Sequence, residues 1–137
     1  MNVKRYIISS IVIFVILALI DFLFDLFILK QINISLEKVW RPEHIFWLEP
    51  FLYLLSAFLF MLIFAYASRG NGIGEGIFYG IFIGLLTAGI NSFRQYALYP
   101  LPLSITVIWL IEGLIQYTAS GIVASIVYGG GGKISQA

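Results

Sequence analysis

The sequence encodes an all-α polytopic membrane protein, a four-transmembrane-helix bundle. Three observations lead there. The chain is 61% hydrophobic and 17% aromatic but only 11% charged, with a mean hydropathy of +0.98, whereas a soluble domain covers its core with about 25% charged residues. Four apolar segments each approach the roughly 20 helical residues that a 30 Å hydrocarbon layer requires at about 1.5 Å per residue. The connections between them are short, so residues 1–137 form a single membrane domain with no soluble domain.

The first helix is expected over residues 6–29, from Tyr6 to Leu29. Its apolar stretch is too long for a signal-peptide core and lacks a small-x-small cleavage site, so it reads as a retained anchor. An interfacial loop follows over 30–49, where Lys30, Glu37, Lys38, Arg41, Glu43, His44 and Glu49 alternate with apolar residues including Val39 and Trp40. That mixture suits a segment lying on the bilayer surface. The second helix, 50–67, carries no charge and opens with Pro50, tolerated in a first turn, just after Trp47, an interfacial residue type. Its aromatic residues, Phe51, Tyr53, Phe58, Phe60, Phe64 and Tyr66, are expected to face lipid and interface.

Ser68 to Gly74 is a glycine-rich turn into the third helix, 75–99. Tyr99-Pro100-Leu101-Pro102 then reverses the chain, because two prolines at that spacing cannot continue a helix. The fourth helix, 103–128, returns as the second arm of an antiparallel hairpin. Gly129 to Gly132 ends it, and a loose tail is expected beyond.

Four crossings leave both termini on one side. Lys4, Arg5, Arg69 and Lys133 then oppose Lys30, Lys38, Arg41 and Arg94, a tie. The first helix decides it: Lys4 and Arg5 outweigh Lys30, which places both termini in the cytoplasm of a prokaryotic inner or plasma membrane.

The third helix carries small residues at strict four-residue spacing, Gly72, Gly76, Gly80, Gly84, Ala88 and Ser92. Residues four apart share a helical face, and a face without bulk lets a neighbouring backbone approach closely, the small-xxx-small device. Gly121, Ser125 and Gly129 repeat it on the fourth helix. The ridge serves either packing within one chain or docking on another subunit.

Ionisable groups within the hydrocarbon are costly, about 2.5 to 3.5 kcal/mol each on insertion scales, and mark functional sites by default. The hydrocarbon boundary falls near Leu26, so Asp25 lies at it and Asp21, on the same face, roughly 8 Å below it. Glu112 falls near the bilayer centre, and Gln116 and Ser120 continue its face. On the third helix Thr87, Asn91 and Gln95 form a polar stripe, with Arg94 beside it. Side chains lean toward their helix N-terminus, so Arg94 and Glu112 lean toward each other across the hairpin, and an ion pair of Arg94 with Glu112 or Asp21 is expected.

Several activities are excluded or disfavoured. The chain has no cysteine and one histidine, His44, which removes thiol chemistry and leaves no metal-ligand set. A net charge of +1 gives no case for nucleic acid. No G-x-S-x-G, H-E-x-x-H or phosphate-binding loop is present, so no cofactor is implied.

Trp40-Arg41-Pro42-Glu43, the segment Glu75 to Gly80, the Tyr99 to Pro102 turn and the stretch Trp109 to Gly121 together resemble small four-span bacterial integral membrane proteins of no assigned function. The resemblance covers most of the chain and implies the fold without an activity. The function expected from the residues is that of a non-enzymatic accessory or scaffolding subunit. It would pack through its glycine-rich helix faces, notably Gly76, Gly80, Gly84, Ala88, Gly121 and Ser125, within a larger membrane assembly or a homo-oligomer. The alternative is a small proton- or cation-coupled transporter or channel that uses the intramembrane cluster of Asp21, Asp25, Asn91, Arg94, Glu112 and Gln116.

Overall fold

The computed structural model describes residues 1–129 of the chain, so the expected tail beyond Gly129, with Lys133, lies outside the described residues. The described residues form four long apolar helices: α1 (Val3–Ser35), α2 (Leu48–Ala67), α3 (Ile73–Leu98) and α4 (Leu103–Tyr128). By length and composition all four can cross a bilayer, and together they make an all-α membrane bundle.

The helix ends differ from expectation in ways the local chemistry explains. α1 does not stop near Leu29 but continues to Ser35 through one π turn at Asp25–Leu29. Nothing from Lys30 to Ser35 breaks a helix, and Leu29, Ile32 and Leu36 on one face pack against Leu101 and Ile105. The expected interfacial loop of 30–49 therefore shortens to 36–47. α2 starts at Leu48, placing Pro50 at its third position, where its missing N–H has no intrahelical acceptor to lose. α3 starts at Ile73 because Gly72, at φ +88°, turns the chain into it.

The turn before α3 has a fastening that spacing did not reveal. The Glu75 carboxylate accepts from the backbone N–H groups of Arg69 at 2.7 Å and Asn71 at 2.9 Å, and from Ser68 Oγ at 3.1 Å. At the other end, Tyr99-Pro100-Leu101-Pro102 makes the expected reversal, with Leu101 N–H donating to the Tyr99 carbonyl at 2.7 Å.

The α3–α4 hairpin is the tightest contact of the bundle. A Cβ added to Gly76 would overlap the Gly121 carbonyl and Ser125 Oγ, and one on Gly80 would overlap the backbone of Tyr117 and Thr118. A Cβ on Gly84 would meet Gly113 and Leu114 at 3.3 Å. Gly113 in turn faces Ala88. The small-residue face of α3 thus lies on Gly113, Tyr117, Gly121 and Ser125 of α4, and close approach is required at Gly76 and Gly80. Gly72 and Gly129 have open space around them and take no part.

α4 packs on α1 as well as α3, and α1 also packs on α2. At the end of the bundle that holds the termini, the four helices close over a filled core. Ile13 and Leu17 of α1, Ala57, Phe60, Met61 and Phe64 of α2, and Ala124 of α4 are its buried members, and Tyr79 and Ile83 of α3 pack against it. Two aromatic hydroxyls stitch this half together. Tyr6 donates to the Phe58 carbonyl and Tyr79 to the Ala67 carbonyl, each at 2.9 Å. Phe60 and Phe64 are therefore core residues, 2% and 1% exposed, and do not face lipid as expected. The outward faces remain apolar, as a lipid-solvated bundle requires.

Candidate functional site

In the other half of the bundle the helices do not close, and they leave a cavity of about 610 Å³. Its position follows from the register. Asp21 lies toward the C-terminal end of the α1 span, and Tyr53 one turn into α2. Ala88, Asn91 and Gln95 lie in the second half of α3, and Trp109, Glu112 and Gln116 in the first two-thirds of α4; all of these border the cavity. All but Gln116, at the middle of α4, belong to the half nearer the loop 36–47 and the Tyr99–Pro102 turn. Val39 and Trp40 of that loop, with Leu101 of the turn, form its roof, and Arg41 stands exposed at the rim. Gly113, tight against Ala88, holds α3 close to α4 at the back wall.

Glu112 is the deepest acid. It is 5% exposed, from a helix face that also buries Gln116 and Ser120. Asp21 of α1 and Tyr53 of α2, both half-buried, border the same cavity. Among the described residues, no lysine or arginine nitrogen comes within 4.0 Å of Asp21 or Glu112. Two carboxyls lining one cavity, with Arg41 only at its exposed rim, need a counter-charge close by, supplied by a bound cation or by a proton on one of them.

Gln116 anchors the floor. Its Nε2 donates to the Leu17 carbonyl at 3.1 Å, tying α4 to α1 directly above the filled core. Ser120, one turn on, satisfies its hydroxyl on the Gln116 carbonyl at 2.7 Å within its own helix.

The roof is aromatic. Trp40 and Trp109 meet with ring centroids 6.0 Å apart and planes inclined by 51°, and both border the cavity. Tyr53 and Tyr99 add two phenol rings to its wall. The indole N–H of Trp40 is buried without an acceptor.

Of the six residues expected to form the intramembrane cluster, four come together: Asp21, Asn91, Glu112 and Gln116. The other two do not. Arg94 is exposed and does not border the cavity, so the expected ion pair with Glu112 or Asp21 does not form. The lean toward the N-terminus sets how far a side chain reaches along the helix, but not which way it faces around it. Arg94 follows the ridge residue Ser92 by two positions, roughly 200° around a helix of 3.6 residues per turn, and so points well away from the face that lies on α4. Asp25 is also exposed, and its Oδ1 accepts from Asn33 Nδ2 at 3.5 Å outside the cavity. His44 stacks on Phe46 in the loop, with centroids 5.7 Å apart, and does not border the cavity.

The aromatic half of the site is absent from the sequence-based expectation. Tyr53 belongs to the set expected to face lipid, although Tyr53, Ala57, Phe60 and Phe64 recur at three- and four-residue spacing and so share one face. Trp40 carries no such signal, because a loop residue has no periodicity to place it.

Comparison of the chain with protein-family models, with curated proteins and with solved structures returned no match.

Proposed function

We propose that the chain is a small cation-handling membrane protein, a proton- or cation-coupled transporter whose binding site is the cavity around Asp21 and Glu112. One observation carries this reading: two carboxyls from different helices, Asp21 and Glu112, line one cavity of about 610 Å³ inside the bundle, and among the described residues neither forms a salt bridge. A purely structural pair of acids would be expected to have a cationic partner, since an uncompensated buried charge is costly. The π turns at Asp25–Leu29 and Leu85–Gly89 flank the cavity on α1 and α3, and such turns are places where a helix can bend.

The accessory-subunit reading has less support, because the face of α3 that motivated it is covered by α4 of the same chain. The proposal retains a non-enzymatic role, a prokaryotic inner or plasma membrane with both termini cytoplasmic, and a homo-oligomer, since four helices rarely enclose a site and two gates.

The test is flux in proteoliposomes. An imposed gradient of Na⁺, K⁺ or a methylated ammonium should drive counter-movement of protons, read with an internal pH dye, and Glu112→Gln and Asp21→Asn should abolish it. Flux unchanged by both substitutions refutes the proposal.

A further inference from the structure

We infer that the ligand of the cavity is a free organic ammonium ion with an apolar body, its charge held by Asp21 and Glu112 and its body faced by the rings of Trp40 and Trp109. The inference rests on the cation-site reading above and narrows it to one ligand class.

Size is the first argument. A cavity of about 610 Å³ falls within the range of small-molecule sites, roughly 300 to 1,000 Å³, and far exceeds what one inorganic ion fills. The donor set is the second. Inorganic divalent cations take six or more oxygen ligands, or three or four nitrogen and sulfur ligands, and among the described residues no three His, Cys, Asp or Glu side chains converge to hold a metal. An alkylated ammonium needs no such shell. It needs negative charge on one side and a polarisable surface around its methyl or methylene groups.

The roof provides that surface. Two indoles inclined at 51° with centroids 6.0 Å apart present adjoining aromatic surfaces, and a cation within about 6 Å of such a ring is attracted by its quadrupole. Glu112 provides the negative charge. It is 5% exposed and borders the cavity together with Asp21. A neutral apolar ligand would leave that carboxyl facing hydrocarbon, and an anion would meet Asp21 and Glu112, with Arg41 only at the exposed rim.

The probe is benzyltrimethylammonium, and its control is neopentylbenzene, which has the same shape with carbon in place of the charged nitrogen. The protein is the full chain in detergent with Trp47→Phe, which removes the exposed indole and leaves Trp40 and Trp109 as reporters. The expected result is a saturable change in tryptophan emission with benzyltrimethylammonium, at least tenfold weaker binding of neopentylbenzene, and at least tenfold weaker ammonium binding in Glu112→Gln. Equal binding of the two probes overturns the inference. If the ammonium fails to bind while Glu112-dependent Na⁺ or proton flux persists in proteoliposomes, the inference fails and the cation-site reading stands. If neither binding nor flux is seen, both fail.

Discussion

Replacing Gly80 by alanine places a methyl group where the backbone of α4 already is. The added Cβ would lie 2.6 Å from Thr118 Cα and still closer to the Tyr117 carbonyl. Carbon atoms pack at about 3.5 to 4.0 Å, so α3 and α4 must separate locally by about 1 Å, a gap that forfeits a quarter to a half of each dispersion contact along the seam. Overpacking of this kind costs about 1 to 3 kcal/mol, and the upper end applies because the obstructing atoms are backbone and cannot swing aside. The gain in helix propensity from glycine to alanine, about 0.5 to 1 kcal/mol, offsets part of it. The net expectation is a loss of about 2 kcal/mol. Two other glycines calibrate the result. At Gly84 the nearest atoms are 3.3 Å away and one belongs to the flexible Leu114 side chain, so alanine should change stability by less than about 1 kcal/mol. At Gly74 nothing lies within 4 Å, so alanine should be neutral or stabilising. Reversible unfolding of the lone chain in mixed micelles measures all three. If Gly80→Ala leaves stability unchanged, or Gly74→Ala costs as much, the α3 ridge does not lie on α4.

Two further expectations concern single hydrogen-bonding groups. Glu75→Ala should release the backbone N–H groups of Arg69 and Asn71, and their amide exchange should quicken roughly five-fold, equivalent to about 1 kcal/mol; unchanged exchange would show that Glu75 does not fasten the turn. Tyr6→Phe should remove the bond to the Phe58 carbonyl while keeping the edge-on contact of the two rings, lowering stability by about 0.5 to 1.5 kcal/mol in the same unfolding assay. A loss well above that range would mean the ring contact had also been disturbed.

Much of the architecture is legible in the sequence because its causes are local. Apolar length sets the spans, proline spacing sets the α3–α4 reversal, and four-residue glycine spacing identifies the face on which that hairpin packs. Helix ends are less legible. The continuation of α1 to Ser35 depends on Leu101 and Ile105, far along the chain, which give Leu29 and Ile32 a surface to cover. Half of the candidate site is legible too. Burial cost alone singles out Asp21 and Glu112, and helical spacing adds Asn91 and Gln116.

The class of the protein, its four spans and the identity of its intramembrane acids thus follow from transfer energies and helical period, both of which are written in the chain itself. What those acids face does not. Rotation of each helix about its axis is set by the packing of its neighbours, a property of the assembled bundle. That rotation turned Arg94 outward, brought Asp21 and Glu112 to one cavity, and left that cavity beneath the roof where Trp40 folds from its loop onto Trp109.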